Sequence, residues 1–418
     1  MKNRRQAVFL YARSADVNSA TATTNDKPVP AVEKDELMNY QMLTEDAALA
    51  VFCAKAAQAP YLALDTEFIR TNTLLPKLGL IQLNYGEGAV LVDPLSIRDW
   101  QPLSALLADH KVLKLLHSCT EDLEALASVG IEQITPLLDT QLAAEMIGWG
   151  GSMGYARLVE QMLGVSVDKT EARTDWLARP LAETQLQYAA NDVLYLLQLT
   201  PALLAALPGE RARDILLAEG RSLIERRQRQ MPAALKYLEL KNSWQFAPRE
   251  LAILRTFCAW RSQYAEEKDL ALSLVIKDAL LYELARRKPQ TMEALSQVEG
   301  MQGRELRRHG QLWLQFIREA KALAPVELPQ TFYHLDSFPG YKQVQQQLSD
   351  AIKAAATAAG IPAEILSVKR QLNEYLNWCW RVTDEERQLL PQPEFLTGWR
   401  RDILLPYLPV PPQVQALI

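Results

Sequence analysis

Four carboxylates and one phenol stand out in this 418-residue sequence. In "YLALDTEFIR" (61–70) a short apolar run carries Asp65 and Glu67 two positions apart, which a strand would turn to one face. In "LLHSCTEDLEAL" Asp122 falls in the first turn of a helix that follows a strand. In "QLQYAANDVLYLLQL" Tyr188 and Asp192 are four apart, on one face of a helix. Taken singly, each has a plainer reading. Acids often end strands, an acid in a first turn complements the helix dipole, and a Tyr/Asp pair is commonly a surface contact. Taken together, within one α/β segment, the four acids are expected to converge at a sheet. Such a cluster cannot stay ionised in a low-dielectric cleft without cations. Hard oxygen ligands select Mg²⁺ or Mn²⁺ rather than zinc. Two such ions, one activating water and the other stabilising a leaving 3′ oxygen, are the arrangement that hydrolyses phosphodiesters. Tyr188, with a free pKa near ~10, is a poor base at neutral pH. It is better suited to aim a water by hydrogen bonding.

The elements that must position these groups read as follows. "YLALDTEF", "LGLIQLNY" and "AVLVDP" are short apolar runs bounded by turn residues, as neighbouring strands would be. "WQPLSALLADH" reads as a helix and "KVLKLLHS" as a strand. "TEDLEALASVG" is a helix with Thr120 as a cap and Gly130 as a stop. "ITPLLDT" is a strand, "QLAAEMIGW" a helix, and "VDKTEARTDWLARPL" an irregular stretch before the Tyr188 helix. Strands in a row, then alternating with helices, predict a mixed sheet with helices on its faces. Periodic sequence begins near Met38, and Thr44 and Asp46 are candidate starting residues of a helix there. Asp93 reads as a turn residue and Asp139 as a helix cap. Past Pro208–Gly209 the strand signals cease. A charged helix covers about 210–230, and amphipathic helices fill 245–325. A second helical block runs to about 410 and reads as a divergent copy of the first.

Composition bounds the class. Apolar residues make up 49% and charged residues 23%, with a net charge of −5, which argues against an overall basic coat for nucleic acid. Cys53, Cys119, Cys258 and Cys379 are far apart and form no C-x-x-C pair, which suits buried thiols in a reducing compartment. No apolar run reaches the ~18 residues of a spanning helix. A cytoplasmic protein is therefore expected. Residues 1–37 read as a disordered extension, with Met38 offering an alternative start.

"LDTEF", "HSCTEDLEAL" and "YAANDVLYL" resemble the three exonuclease motifs of the DEDD superfamily in its tyrosine branch. "RTDWLARPL" narrows the resemblance to the ribonuclease D family. "LRTFCAWRSQYAEEKDLALSLVIKDALLYELARRKPQTMEAL" is similar to the helical HRDC module. The resemblance implies an α/β ribonuclease H-like exonuclease domain at 38–208 and a linker helix at 209–243. An HRDC domain at 244–325 and a second, divergent HRDC-like domain at 326–418 would follow. It implies Asp65, Glu67, Asp122 and Asp192 as metal-site residues and Tyr188 as the water-orienting group. Asp65 would bridge two ions, Glu67 and Asp192 would complete the site of the water-activating ion, and Asp122 would serve the other. Phe68, Gln82, His117 and Asp139 are weaker expectations as substrate contacts. The basic runs "RRQRQ", "ARRK" and "RELRRHG" are candidates for touching phosphate. The implied activity is stepwise release of 5′-mononucleotides from RNA 3′ ends, as in the maturation of transfer RNA precursors. The protein would act as a monomer, without ATP and without a membrane. A DNA exonuclease, a non-catalytic RNA-binding scaffold and a helicase accessory are the rival readings. The last lacks any G-x-x-x-x-G-K-[ST] loop.

Overall fold

The computed structural model describes residues 40–168, 170–229 and 231–408. The expected extension at 1–37 lies outside these. Six strands form one sheet: β1 (Tyr40–Leu43), β2 (Tyr61–Ile69), β3 (Lys77–Asn84), β4 (Ala89–Val92), β5 (Leu113–Leu116) and β6 (Leu137–Asp139). Their order is β1-β4-β3-β2-β5-β6. β2 pairs antiparallel with β3 and parallel with β5, which places the strand bearing Asp65 and Glu67 at the centre. Leu62 and Leu64 of β2 are fully buried. They face a core completed by α1 (Asp46–Ala56), α2 (Gln101–Ala108) and α3 (Thr120–Ala127). After β6 come α4 (Thr140–Met146), α5 (Tyr155–Leu163) and α6 (Glu183–Ala205). α6 packs across β2, β3 and β4 from the other face. The mixed sheet flanked by helices is the expected one.

Two elements were not anticipated. Residues 40–43 form an edge strand paired in parallel with β4, ahead of a helix that starts at Asp46, one of the two expected starting residues. Four residues carry no readable period, and their partner lies almost fifty residues away, so local pattern cannot reveal the pairing. α5 lies in a stretch, 151–165, to which the sequence pattern assigns no element.

α7 (Glu210–Gln228) follows the Pro208–Gly209 break. It still belongs physically to the sheet domain, because Leu223 and Ile224 join the sheet's core. Gly220 seats α7 against β6, and a Cβ there would run into the Leu137 carbonyl. Next come α8 (Pro248–Lys268), α9 (Leu272–Val275), α10 (Asp278–Arg287), α11 (Met292–Ser296) and α12 (Gly303–Ala322). The last block holds α13 (Tyr341–Ala359), α14 (Ala363–Leu366), α15 (Lys369–Trp380), α16 (Asp384–Leu389) and α17 (Gly398–Leu404). Both blocks run long, one-turn, medium, short, then a closing helix. α8 and α13 have 21 and 19 residues, and α9 and α14 have four each. The loosely matched apolar positions thus conceal a shared order of elements.

Contacts among the described residues tie both blocks to the nuclease domain. The β2–β3 connection meets the first block, with Ala271 N–H donating to the Asn72 carbonyl at 2.9 Å and Leu74 N–H to Asp269 at 3.2 Å. Leu74 packs on that block's core. The second block is held through α7, where Glu219 pairs with Arg400 and Arg226 with Glu394.

Candidate active site

Asp65, Glu67 and Asp192 converge from the central strand and the helix that crosses it. One carboxylate oxygen from each lies within 4.8 Å of the others. Asp192 is buried, while Asp65 and Glu67 keep a partly open edge. Asp122 stands beside this trio rather than inside it. It approaches from α3 on the opposite face of β2, where Thr66 Oγ1 donates to its Oδ1 at 2.5 Å. An ion pair between Arg70, just past β2, and Glu124 also joins α3 to that strand.

The electrostatics follow from crowding. Burial pushes the Asp65 carboxyl well up, and the Asp192 charge adds to the effect. Burial and then Asp65 raise both Glu67 and Asp122. Asp192 is raised by burial although Tyr188 hydrogen-bonds to it. Four acids that cannot all ionise beside one another call for a cation. The all-oxygen donor set fits a hard divalent ion, with Asp65, Glu67 and Asp192 placed to hold it and Asp122 close by. Bound there, such an ion would neutralise the carboxylates, acidify a water and screen charge developing on a phosphate.

Tyr188 lies one turn before Asp192 on α6. Burial and the neighbouring Asp192 drive its phenol above the ordinary range. It therefore keeps its proton at neutral pH and can orient a water but not deprotonate one. Tyr188→Phe is expected to lower kcat by roughly 10²-fold or more, the scale of a lost positioned hydrogen-bonding group. The metal concentration giving half-maximal rate should stay within about twofold. A metal titration of initial rates checks both.

The weaker expectations fare differently. Gln82, cross-strand from Asp65, is fully buried, and neither amide atom has a partner among the described residues. Its side chain has no exposed surface in this structure. Phe68 is half-buried against the apolar core on the Thr66 face of β2, away from Asp65 and Glu67. His117 has both ring nitrogens engaged, by Thr140 Oγ1 and the Met153 carbonyl at 3.0 Å each, and burial lowers its pKa. Asp139 is 5% exposed and accepts N–H bonds from Ser118, Cys119 and Gln141 at 2.9, 3.1 and 2.8 Å. Its carboxylate is used up as a cap that fixes the loop leading to Asp122, which corrects its expected place among substrate contacts. Part of "RRQRQ" is likewise occupied, since Arg226 pairs with Glu219 and Glu394. Arg304, Arg307 and Arg308 of "RELRRHG" are exposed.

Three supporting contacts are not readable from the sequence. Thr66 sat unremarked inside the quoted motif. Tyr155 of α5 donates its hydroxyl to the Asp192 carbonyl, bracing α6 at the site. Asp93, read as a turn residue, pairs with Arg179, 86 positions away. Only the shared charge complementarity could have hinted at that last pair.

A carboxylate trio on the central strand and crossing helix of a mixed sheet defines a nuclease of the 3′–5′ exonuclease class. Residues 40–208 match the family model described as 3′–5′ exonuclease. Residues 250–317 match the HRDC domain, and 339–408 match "Ribonuclease D, C-terminal HRDC domain". Ribonuclease D of Escherichia coli (strain K12) is 40% identical over 88% of this chain and 96% of its own. That of Pseudomonas paraeruginosa (strain DSM 24068 / PA7) is 37% identical over 87% and 94%. The crystal structure of Escherichia coli RNase D, described as an exoribonuclease involved in structured RNA processing, aligns with a TM-score of 0.79. That alignment has 40% identity and covers 88% of this chain and 97% of the other. The chain belongs to the ribonuclease D family. It is a 3′–5′ exoribonuclease, a hydrolase of phosphodiester bonds, and its superfamily is metal-dependent. Among the described residues no helix is long and apolar enough to cross a membrane.

Proposed function

We propose that this protein trims the 3′ ends of structured RNAs, transfer RNA precursors in particular, releasing 5′-mononucleotides with two Mg²⁺ or Mn²⁺ ions at the carboxylate site. The observation that carries this reading is the convergence of Asp65, Glu67 and Asp192, with Asp122 tied to the same strand through Thr66. In this reading these four acids hold the ions, and Tyr188 aims the water. The protein works as a monomer, without ATP.

The description of the Escherichia coli relative as acting on structured RNA supports the same substrate class here. The helical blocks provide the grip and the sheet domain the cut. A duplex end would have to fray at roughly 1.4 kcal/mol per base step, whereas an unpaired tail can enter directly. Removing both blocks, by ending the chain at Arg229, should raise KM for a folded RNA with a 3′ tail by about tenfold or more, with kcat on a short single-stranded oligoribonucleotide retained. The grip should weaken steeply with salt. Equal effects on the two substrates would dismiss the division of labour. Equal cleavage of a matched DNA oligonucleotide would dismiss the RNA preference.

A further inference from the structure

We propose that Arg179 is a positioning residue of the hydrolytic site, which sets Glu67 and Tyr188 at once through one guanidinium group. The inference rests on the reading of the carboxylate site given above. It adds a residue that lies outside the three exonuclease motifs.

All five N–H groups of Arg179 are used. Nε and Nη2 grip both carboxylate oxygens of Asp93, at 2.9 and 2.6 Å. The second Nη2 hydrogen goes to the Gly79 carbonyl at 2.8 Å. Nη1 donates to the carbonyls of Trp176 and Ala178, at 3.0 and 2.8 Å. A planar fork can meet so many acceptors at once, and an ammonium cannot.

Two of these acceptors lead to the site. Gly79 is the extra residue of a bulge in the β2–β3 pairing, because Glu67 faces Leu80 while Phe68 faces Leu78. A bulge bends its strand and re-aims the side chains beside it. Here the bulge lies on β3, directly opposite the Glu67–Phe68 step of β2. Gly79 has no room for a side chain, since a Cβ would lie 2.7 Å from both Cβ and O of Trp176. Trp176 is fully buried, and its ring centre is 6.2 Å from that of Tyr188. The same segment is fastened to the first turn of α6. Gln185 Nε2 donates to Thr174 Oγ1 at 2.9 Å, and Gln185 Oε1 accepts from Ala182 N–H at 2.9 Å. Asp93 anchors the assembly just past β4, where it also accepts from Leu95 N–H at 3.0 Å. Loss of the fork would free the bulge and the tryptophan together.

The test compares the full-length protein with its Arg179→Lys, Arg179→Gln and Asp93→Asn variants. Lysine keeps a charge beside Asp93 but cannot span the carbonyls. Rates are measured on a short oligoribonucleotide, and Mn²⁺ binding is followed separately through the rise in Tm it causes. Arg179→Lys is expected to keep its Tm within a few degrees of the unaltered protein while kcat falls roughly 10–100-fold, the usual scale for residues that orient metal ligands. KM should stay within about twofold, and the Mn²⁺ midpoint of the Tm gain should rise several-fold. Arg179→Gln should show the same kinetic losses with a lower Tm, and Asp93→Asn a smaller loss. A purely structural role predicts instead that lysine restores Tm and kcat together, or that losses track the folded fraction alone. Either result, or an unchanged Mn²⁺ midpoint, overturns the proposal. An Asp65→Asn control separates the two levels. If that variant stays active, or the unaltered protein needs no metal, the site reading itself falls and this inference falls with it.

Discussion

Asp65→Asn will abolish 3′ trimming and yet make the metal-free protein melt at a higher temperature. The loss of activity should reach roughly 10³-fold or more in kcat, corresponding to about 4 kcal/mol of transition-state stabilisation. Asp65 sits at the centre of the acid cluster, and after burial its charge does most to raise both Glu67 and Asp122. The gain in stability follows from proton linkage. All four acids are held above their ordinary range in the folded protein, so the folded state binds protons that the unfolded chain has released. Their contribution is fully present below the free carboxylate range, ~4. It is lost as pH rises through neutrality toward the raised folded values. At pH 8 in EDTA, removing one carboxylate therefore relieves repulsion. Melting scans in EDTA and in Mn²⁺ should show the order reversing, with the unaltered protein gaining from the ion and the variant gaining little. A variant that melts lower than the unaltered protein in EDTA at pH 8 would contradict the electrostatic account.

Arg400→Met is the substitution expected to cost the most stability, about 3–5 kcal/mol, the scale for breaking a buried ion pair from one side. Arg400 is 4% exposed. It pairs with Glu219 of α7, lies 3.4 Å from Glu394, and donates to the carbonyls of Leu366 and Ile365. Its guanidinium also covers the Trp399 ring. Removing it leaves Glu219 with Trp399 Nε1 and Arg226 as its remaining partners. Urea unfolding should show the loss, and Arg400→Met combined with Glu219→Met should recover part of it. A loss below about 1 kcal/mol would mean that the pair contributes little to holding the second block. The same network has an acid limit. Burial would raise Glu394, but Arg226, Arg370 and Arg400 outweigh it and hold the carboxyl down at about 2. That contribution is present above the unfolded value, ~4.3, and is lost as pH falls toward 2.

Much of the site was legible because its chemistry is local. Asp65 and Glu67 share a strand, and Tyr188 and Asp192 share a helical face, so period alone places each pair correctly. Asp122 was legible as a first-turn acid after a strand. What pattern could not show was its approach from the opposite face, through Thr66. The supports were not legible at all. The Asp93–Arg179 pair spans 86 residues, and nothing in either neighbourhood points to the other. Gln82, Asp139 and His117 lie in or beside motif-bearing segments, yet burial decides their roles, and burial is a property of the packed whole. In the helical region, alternating charge looks the same whether an arginine faces phosphate or, like Arg226, closes an internal pair.

The seat of α7 on β6 has a practical corollary for anyone dissecting the enzyme. β6 is the last strand of the sheet, and Gly220 lets α7 lie directly on its Leu137 backbone. A fragment cut at the Pro208–Gly209 junction would strip this cover, baring an unpaired edge and the apolar surface that Leu223 and Ile224 normally occupy. Such a naked border invites self-association between molecules. A truncated nuclease that precipitates would then report a misplaced cut, not a dependence of hydrolysis on the helical blocks.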